Sequence, residues 1–61
     1  MNKDEREALI ESLREVRESG AVNMMLKSDV VYELYEMGKD WSAEQISSMD
    51  GKTYISLLEE I

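Results

Sequence analysis

Asn2-Lys3-Asp4-Glu5-Arg6-Glu7-Ala8-Leu9-Ile10-Glu11-Ser12-Leu13-Arg14-Glu15-Val16-Arg17-Glu18-Ser19-Gly20 has the spacing of a helix with one apolar face. Leu9, Leu13 and Val16 recur at i, i+4 and i+7, with Ile10 beside them, which is the period of a single helical stripe. Asn2 and Glu5, or Asp4 and Glu7, stand at the separation of an N-terminal capping box, and acidic residues fill the first turn. Arg14 and Arg17 suit the negative end of the helix dipole, and Gly20 supplies a left-handed stop. The spacing predicts a helix over residues 2–19.

Beyond Gly20, the segment Ala21-Val22-Asn23-Met24-Met25-Leu26-Lys27 is an apolar connector without a period. Asn23 can bond neighbouring backbone in the turn that leaves Gly20. Ser28 is placed to cap a second helix reaching about Met37. Val30, Leu34 and Met37 share its apolar face, widened by Val31 and Tyr35, and Gly38 ends it. Asp29, Glu33 and Glu36 take the opposite side, and Tyr32 falls among them, so an exposed ring is expected. Trp41-Ser42-Ala43-Glu44-Gln45-Ile46 carries a capping box, S-x-x-Q, with Trp41 and Ile46 as its hydrophobic staple. The third helix is then short, over about 43–48.

Asp50 caps the last helix, over about 51–60, with Met49 and Tyr54 as a staple pair. Tyr54, Leu57, Leu58 and Ile61 form its inner face, with Ile55 at the edge. Asp50-Gly51 is also a hairpin signal. The apolar residues around it recur every three to five positions rather than every two, which favours helix. The fold class expected is all-α: one domain spanning residues 1–61, a small bundle of three main helices plus one short one.

Composition narrows the chemistry. The 61 residues include no Cys, His or Pro, and 14 acidic residues stand against 7 basic ones, for a formal charge of −7. A chain of this size buries only ~60% of the surface its unfolded form exposes. It has no cysteine for a disulfide and lacks the residues from which structural zinc sites are built. Good helix packing or self-association must supply the stability. The net charge disfavours direct contact with nucleic acid, where affinity comes from Lys and Arg on phosphates, and disfavours anionic membrane surfaces. No apolar run approaches the length of a membrane span, and the charged N-terminus precedes no signal-peptide core. A cytoplasmic setting is the simplest expectation.

Catalysis is not expected, because neutral-pH chemistry typically needs a group poised near pH 7 or an activated nucleophile. The acids do not spell a calcium loop, since neither Gly20 nor Gly51 falls in register with alternating ligands. Gly20, Gly38 and Gly51 are too far apart to cradle a phosphate. No catalytic residue, metal ligand or cofactor follows.

What remains is surface recognition. Tyr32, Glu33, Tyr35, Glu36, Trp41 and Glu44 are the candidate partner-binding residues, because aromatic side chains dominate binding hot spots and acids steer basic partners. For Trp41 the preferred reading is a partly buried structural staple, with the partner anchor as the alternative. Met24, Met25 and Leu26 are either an adaptable docking patch or a plug folded into the core between the first two helices, and the plug is preferred. At the other end, Glu59 and Glu60 crowd the negative pole of the last helix. That placement is unfavourable unless it serves a contact, and fraying is the plainer expectation.

The stretch Val16-Arg17-Glu18-Ser19-Gly20-Ala21-Val22-Asn23-Met24 resembles an I-R-x-S/T-G-x-x-N-M segment. That segment marks a family of short proteins of Firmicutes and their phages, in which a helix and a Tyr-containing C-terminal helix follow. Tyr54, Leu57 and Leu58 are similar to that ending, and the likeness spans about half of the chain. The two patterns part after Met24, where Met25-Leu26-Lys27 stands in place of an apolar-then-acidic pair. The resemblance implies a phage or mobile-element setting and brings no established activity.

Two functions are therefore expected. The first is a small acidic protein-interaction module, a phage or mobile-element inhibitor that occupies a basic surface of a host protein by charge complementarity. The alternative is an assembly protein that forms a homodimer through Leu9, Leu13 and Val16 of its first helix. The charge asymmetry favours the first: residues 1–19 carry six acids and four bases, whereas residues 20–61 carry eight acids and three bases.

Overall fold

Each helix boundary is set by a small number of main-chain and side-chain contacts. The computed structural model describes residues 1–61 and contains four helices without a strand. They are α1 (Lys3–Ser19), α2 (Lys27–Glu36), α3 (Asp40–Ser48) and α4 (Gly51–Leu58). The all-α bundle is as expected. Its proportions differ, since α1 has 17 residues and α2 to α4 have 10, 9 and 8.

At the start of α1, Asn2 Oδ1 accepts from the Glu5 amide at 2.8 Å while Glu5 Oε1 accepts from the Asn2 amide at 3.1 Å. The capping box is thus Asn2 with Glu5, not Asp4 with Glu7. Gly20 ends the helix at φ 67°, a left-handed conformation that only glycine adopts without strain. Asn23 then accepts from the Met25 amide at 2.9 Å through its side chain and from the Leu26 amide at 3.0 Å through its carbonyl. That turn feeds directly into α2. The Leu26 carbonyl accepts from Asp29 and Val30, so α2 begins at Lys27 and Ser28, already inside it, does not cap.

The α2 terminus is a Schellman motif. Gly38 sits at φ 76°, its amide donates to the Tyr35 carbonyl at 3.0 Å, and the Lys39 amide donates to Leu34 at 2.8 Å. The chain therefore reverses within three residues, and α3 begins at Asp40, with Ala43 donating to the Lys39 carbonyl at 2.9 Å. This corrects the expected third helix. Ser42 lies within α3, no side chain caps the helix, and the Trp41–Ile46 staple has no cap to enclose. The hydroxyl of Ser42 instead meets that of Ser12 at 2.8 Å in the buried contact between α1 and α3. Asp50 caps α4 as expected, accepting from the Thr53 amide at 2.8 Å.

The core draws on all four helices. Leu9, Ile10, Leu13 and Val16 of α1 meet Val30 and Leu34 of α2, Ala43 and Ile46 of α3, and Tyr54 and Leu57 of α4. A fully buried side chain of this kind contributes about 1.5–3 kcal/mol. With only 12 of 61 residues buried, the margin of stability is narrow. Met37, expected on the inner face of α2, lies in the turn and is exposed, and Tyr35 is also exposed. Val22 and Met24 pack against the core while Met25 and Leu26 face solvent, so the connector divides between the two readings.

Polar ties complete the bundle. The Tyr54 hydroxyl donates to the Met24 carbonyl at 2.5 Å, and Lys27 Nζ to the Met49 carbonyl at 2.5 Å. Every buried side-chain nitrogen and oxygen has a partner. The radius of gyration, 10.1 Å, is near the ~10.5 Å expected of a close-packed chain of this length.

Candidate protein-interaction face

The interior is apolar apart from the Ser12–Ser42 pair, and its polar atoms are satisfied, so the candidate residues lie at the surface. On α2 the core side is held by Val30 and Leu34, which turns Tyr32 directly outward, where it is 65% exposed. Tyr35 and Glu36 follow at i+3 and i+4 and flank it on the same outer side. On α3 the inward positions are Ser42, Ala43 and Ile46, which leave Trp41 and Glu44 outward one turn apart, with Trp41 41% exposed. Glu33 is half-buried at the margin of α2. The six candidate residues therefore divide between the outer sides of two helices that pack against each other.

The charge of this hairpin is lopsided for a structural reason. Residues 27–48 carry five carboxylates, Asp29, Glu33, Glu36, Asp40 and Glu44, and none of them is in an ion pair. The hairpin's two lysines are engaged elsewhere: Lys27 reaches the Met49 carbonyl, and Lys39 pairs with Glu15 of α1 at 2.6 Å. Glu36, placed to accept from the Tyr32 hydroxyl, raises that phenol above its ordinary pKa, and the charge of Glu33 adds to the effect. The Tyr32 ring thus stands in a negative field.

Leu9, Leu13 and Val16 have no exposed surface at all. The stripe expected to pair with a second copy is occupied by α2, α3 and α4, so a contact between copies through it would require the bundle to open.

The opposite side of α1 holds a feature the sequence reading missed. Arg6 pairs with the Glu60 carboxylate, Arg14 donates to the Glu60 carbonyl at 3.3 Å, and Arg17 donates to the main-chain oxygen of Ile61. These three guanidiniums relieve the crowding of negative charge after α4, and Glu60 is held rather than frayed. The signal was present, because Arg6, Arg14 and Arg17 project within about 80° of one another at 100° per residue. Beside this clasp runs a groove of about 330 Å³ lined by Glu7, Ile10, Glu11, Arg14 and Glu60. It contains none of the candidate residues, and its one guanidinium already serves Glu60.

No three carboxylates converge as a metal-holding group, and no helix is long and apolar enough to cross a membrane. Compared with family models, with curated proteins and with solved structures, the chain matches none.

Proposed function

We propose that this chain is a protein-interaction module that presents the acidic, aromatic outer side of α2 and α3 to a basic surface of a partner protein, acting by binding rather than catalysis. One observation carries the proposal: five unpaired carboxylates share the hairpin with three exposed aromatic rings, while both of its lysines are tied to other parts of the chain. Unpaired surface charge of one sign speeds encounter with the opposite sign and rejects like-charged partners. Exposed Tyr and Trp supply the apolar anchors that such encounters need to persist. In the phage or mobile-element setting that the resemblance implies, the module would act as an inhibitor occupying a basic channel of a host protein.

Capture from a bacterial lysate at low and high salt, with the bound proteins identified by mass spectrometry, tests this reading. A single dominant partner, lost at high salt, is the expected result. The triple variant Glu33→Lys, Glu36→Lys, Glu44→Lys should keep its helical circular dichroism and lose that partner. Undiminished capture by the triple variant would overturn recognition by charge.

A further inference from the structure

We infer that the group selected by the outer side of α2 and α3 is the guanidinium of arginine on a basic protein segment, in preference to the ammonium of lysine. The inference rests on the function proposed above and narrows its partner. Its basis is the pairing of rings with carboxylates. Tyr32 has Glu36 at i+4, and Trp41 has Glu44 at i+3, so each outward ring lies within one helical turn of an unpaired carboxylate. Both rings are well exposed, and no cation of this chain is paired with either carboxylate.

A ring face beside a carboxylate suits a planar cation. A guanidinium can stack flat on the ring and direct its edge N–H groups to the carboxylate in the same pose. An ammonium is compact and strongly hydrated, and it meets one requirement at the expense of the other. The chain's own arginines are not available for this role, because Arg6, Arg14 and Arg17 hold Glu60 and Ile61. That engagement disfavours a second copy as the occupant. The favourable partner therefore presents arginines in sequence, and charge complementarity with an unpaired acidic hairpin brings it to this side.

The test uses two synthetic peptides of equal length and charge, one built from Arg and Ala and the other from Lys and Ala. Each is titrated into the intact protein by calorimetry and by the fluorescence of Trp41, the only tryptophan. The arginine peptide should bind roughly two- to fivefold more tightly than the lysine peptide, the scale of an exposed ring-stacked cation. In a Tyr32→Leu, Trp41→Leu variant, which keeps apolar bulk but removes both rings, calorimetry should show the two peptides at parity. Equal affinity of the two peptides for the native protein would overturn the arginine preference while leaving recognition by charge intact. Failure of both peptides to bind at low salt would overturn the acidic recognition side itself.

Discussion

Asn2-Lys3-Asp4-Glu5 and Ser42-Ala43-Glu44-Gln45 share a pattern, a short polar residue followed three positions later by an acid or amide, yet only the first becomes a cap. Asn2 is exposed, and its side chain serves the nearest orphaned amide. Ser42 follows a turn that has already reversed the chain at Gly38, so the helix starts earlier, at Asp40. The extra turn rotates Ser42 onto the side that faces α1, where the Ser12 hydroxyl needs a partner. A cap pattern is a local offer, and tertiary packing decides whether it is taken up. Asp40 in the first turn of α3 is the acid that favours the earlier start, through the helix dipole.

The substitution Ser42→Asp separates the two roles most widely. As an N-cap, Asp is as good as Ser, and the change would be neutral. In the α1–α3 contact it places a carboxylate where Ser42 is nearly inaccessible to water, and an uncompensated buried charge costs about 3 kcal/mol or more. That is comparable to the whole stability of a domain this small. Urea unfolding should show the Ser42→Asp chain largely unfolded without denaturant. A midpoint equal to that of the native chain would restore the capping role.

A gentler form of the same test removes the hydroxyls one at a time. Ser42→Ala or Ser12→Ala strands the other hydroxyl in the interior, at about 1–3 kcal/mol each. The double variant removes both partners together and should lose less than the sum of the two. A double-mutant cycle from urea midpoints measures that coupling, and strict additivity would mean that the 2.8 Å contact contributes nothing.

The same contrast explains which parts of the fold were readable in advance. The stripe Leu9–Leu13–Val16, the Asn2 cap and the Gly20 stop all lie inside one segment and agree with each other, so α1 could be drawn from its own residues. Asp50 was equally local. Ser42 was not, because its partner lies thirty residues away, and the arginine clasp was missed for the same reason, with Glu60 and Ile61 more than forty residues from Arg14 and Arg17. Ser28 misled because the Asn23 turn delivers the chain to Lys27 already in helical register. On the candidate face, the exposure of Tyr32 followed from the acids around it. The inward turn of Lys27 and Lys39, which leaves those acids unpaired, depends on Met49 and Glu15 and was written nowhere near them.

The two caps that do form offer a finer distinction, since one titrates and the other does not. Asn2→Ala should cost about 1 kcal/mol at any pH, as an exposed N-cap does. Asp50 behaves differently. The Thr53 hydroxyl beside its carboxylate and the Thr53 amide bonded to it hold its pKa below the ordinary value. A group with a depressed folded pKa contributes stability above its unfolded value, about 3.9, and that contribution is lost as pH falls through the lower folded value. Below about pH 4, Asp50→Asn should therefore flatten the acid limb of the melting curve, whereas Asn2→Ala should shift the whole curve down without changing its shape. An unchanged acid limb in Asp50→Asn would mean that this cap does not couple to protonation.

The smallest expected effect is the most discriminating for the pattern itself. In a capping box the residue three positions after the cap reaches back to the cap's own amide, as Glu5 does for Asn2. Gln45 cannot make that reach, because Ser42 is inside the helix with its amide directed back toward the N-terminal end, and the amides from Ala43 onward have helical acceptors. Its side chain lies exposed on the outer side of α3 and makes no hydrogen bond. Gln45→Ala should therefore leave the melting temperature within the range of a neutral surface change, about 0.5 kcal/mol, with the slight helix preference of Ala favouring a small gain. Glu5→Ala, at the equivalent position of a working box, should instead lower it. If the two substitutions proved equally damaging, both segments would be caps in solution and α3 would begin at Ala43 after all.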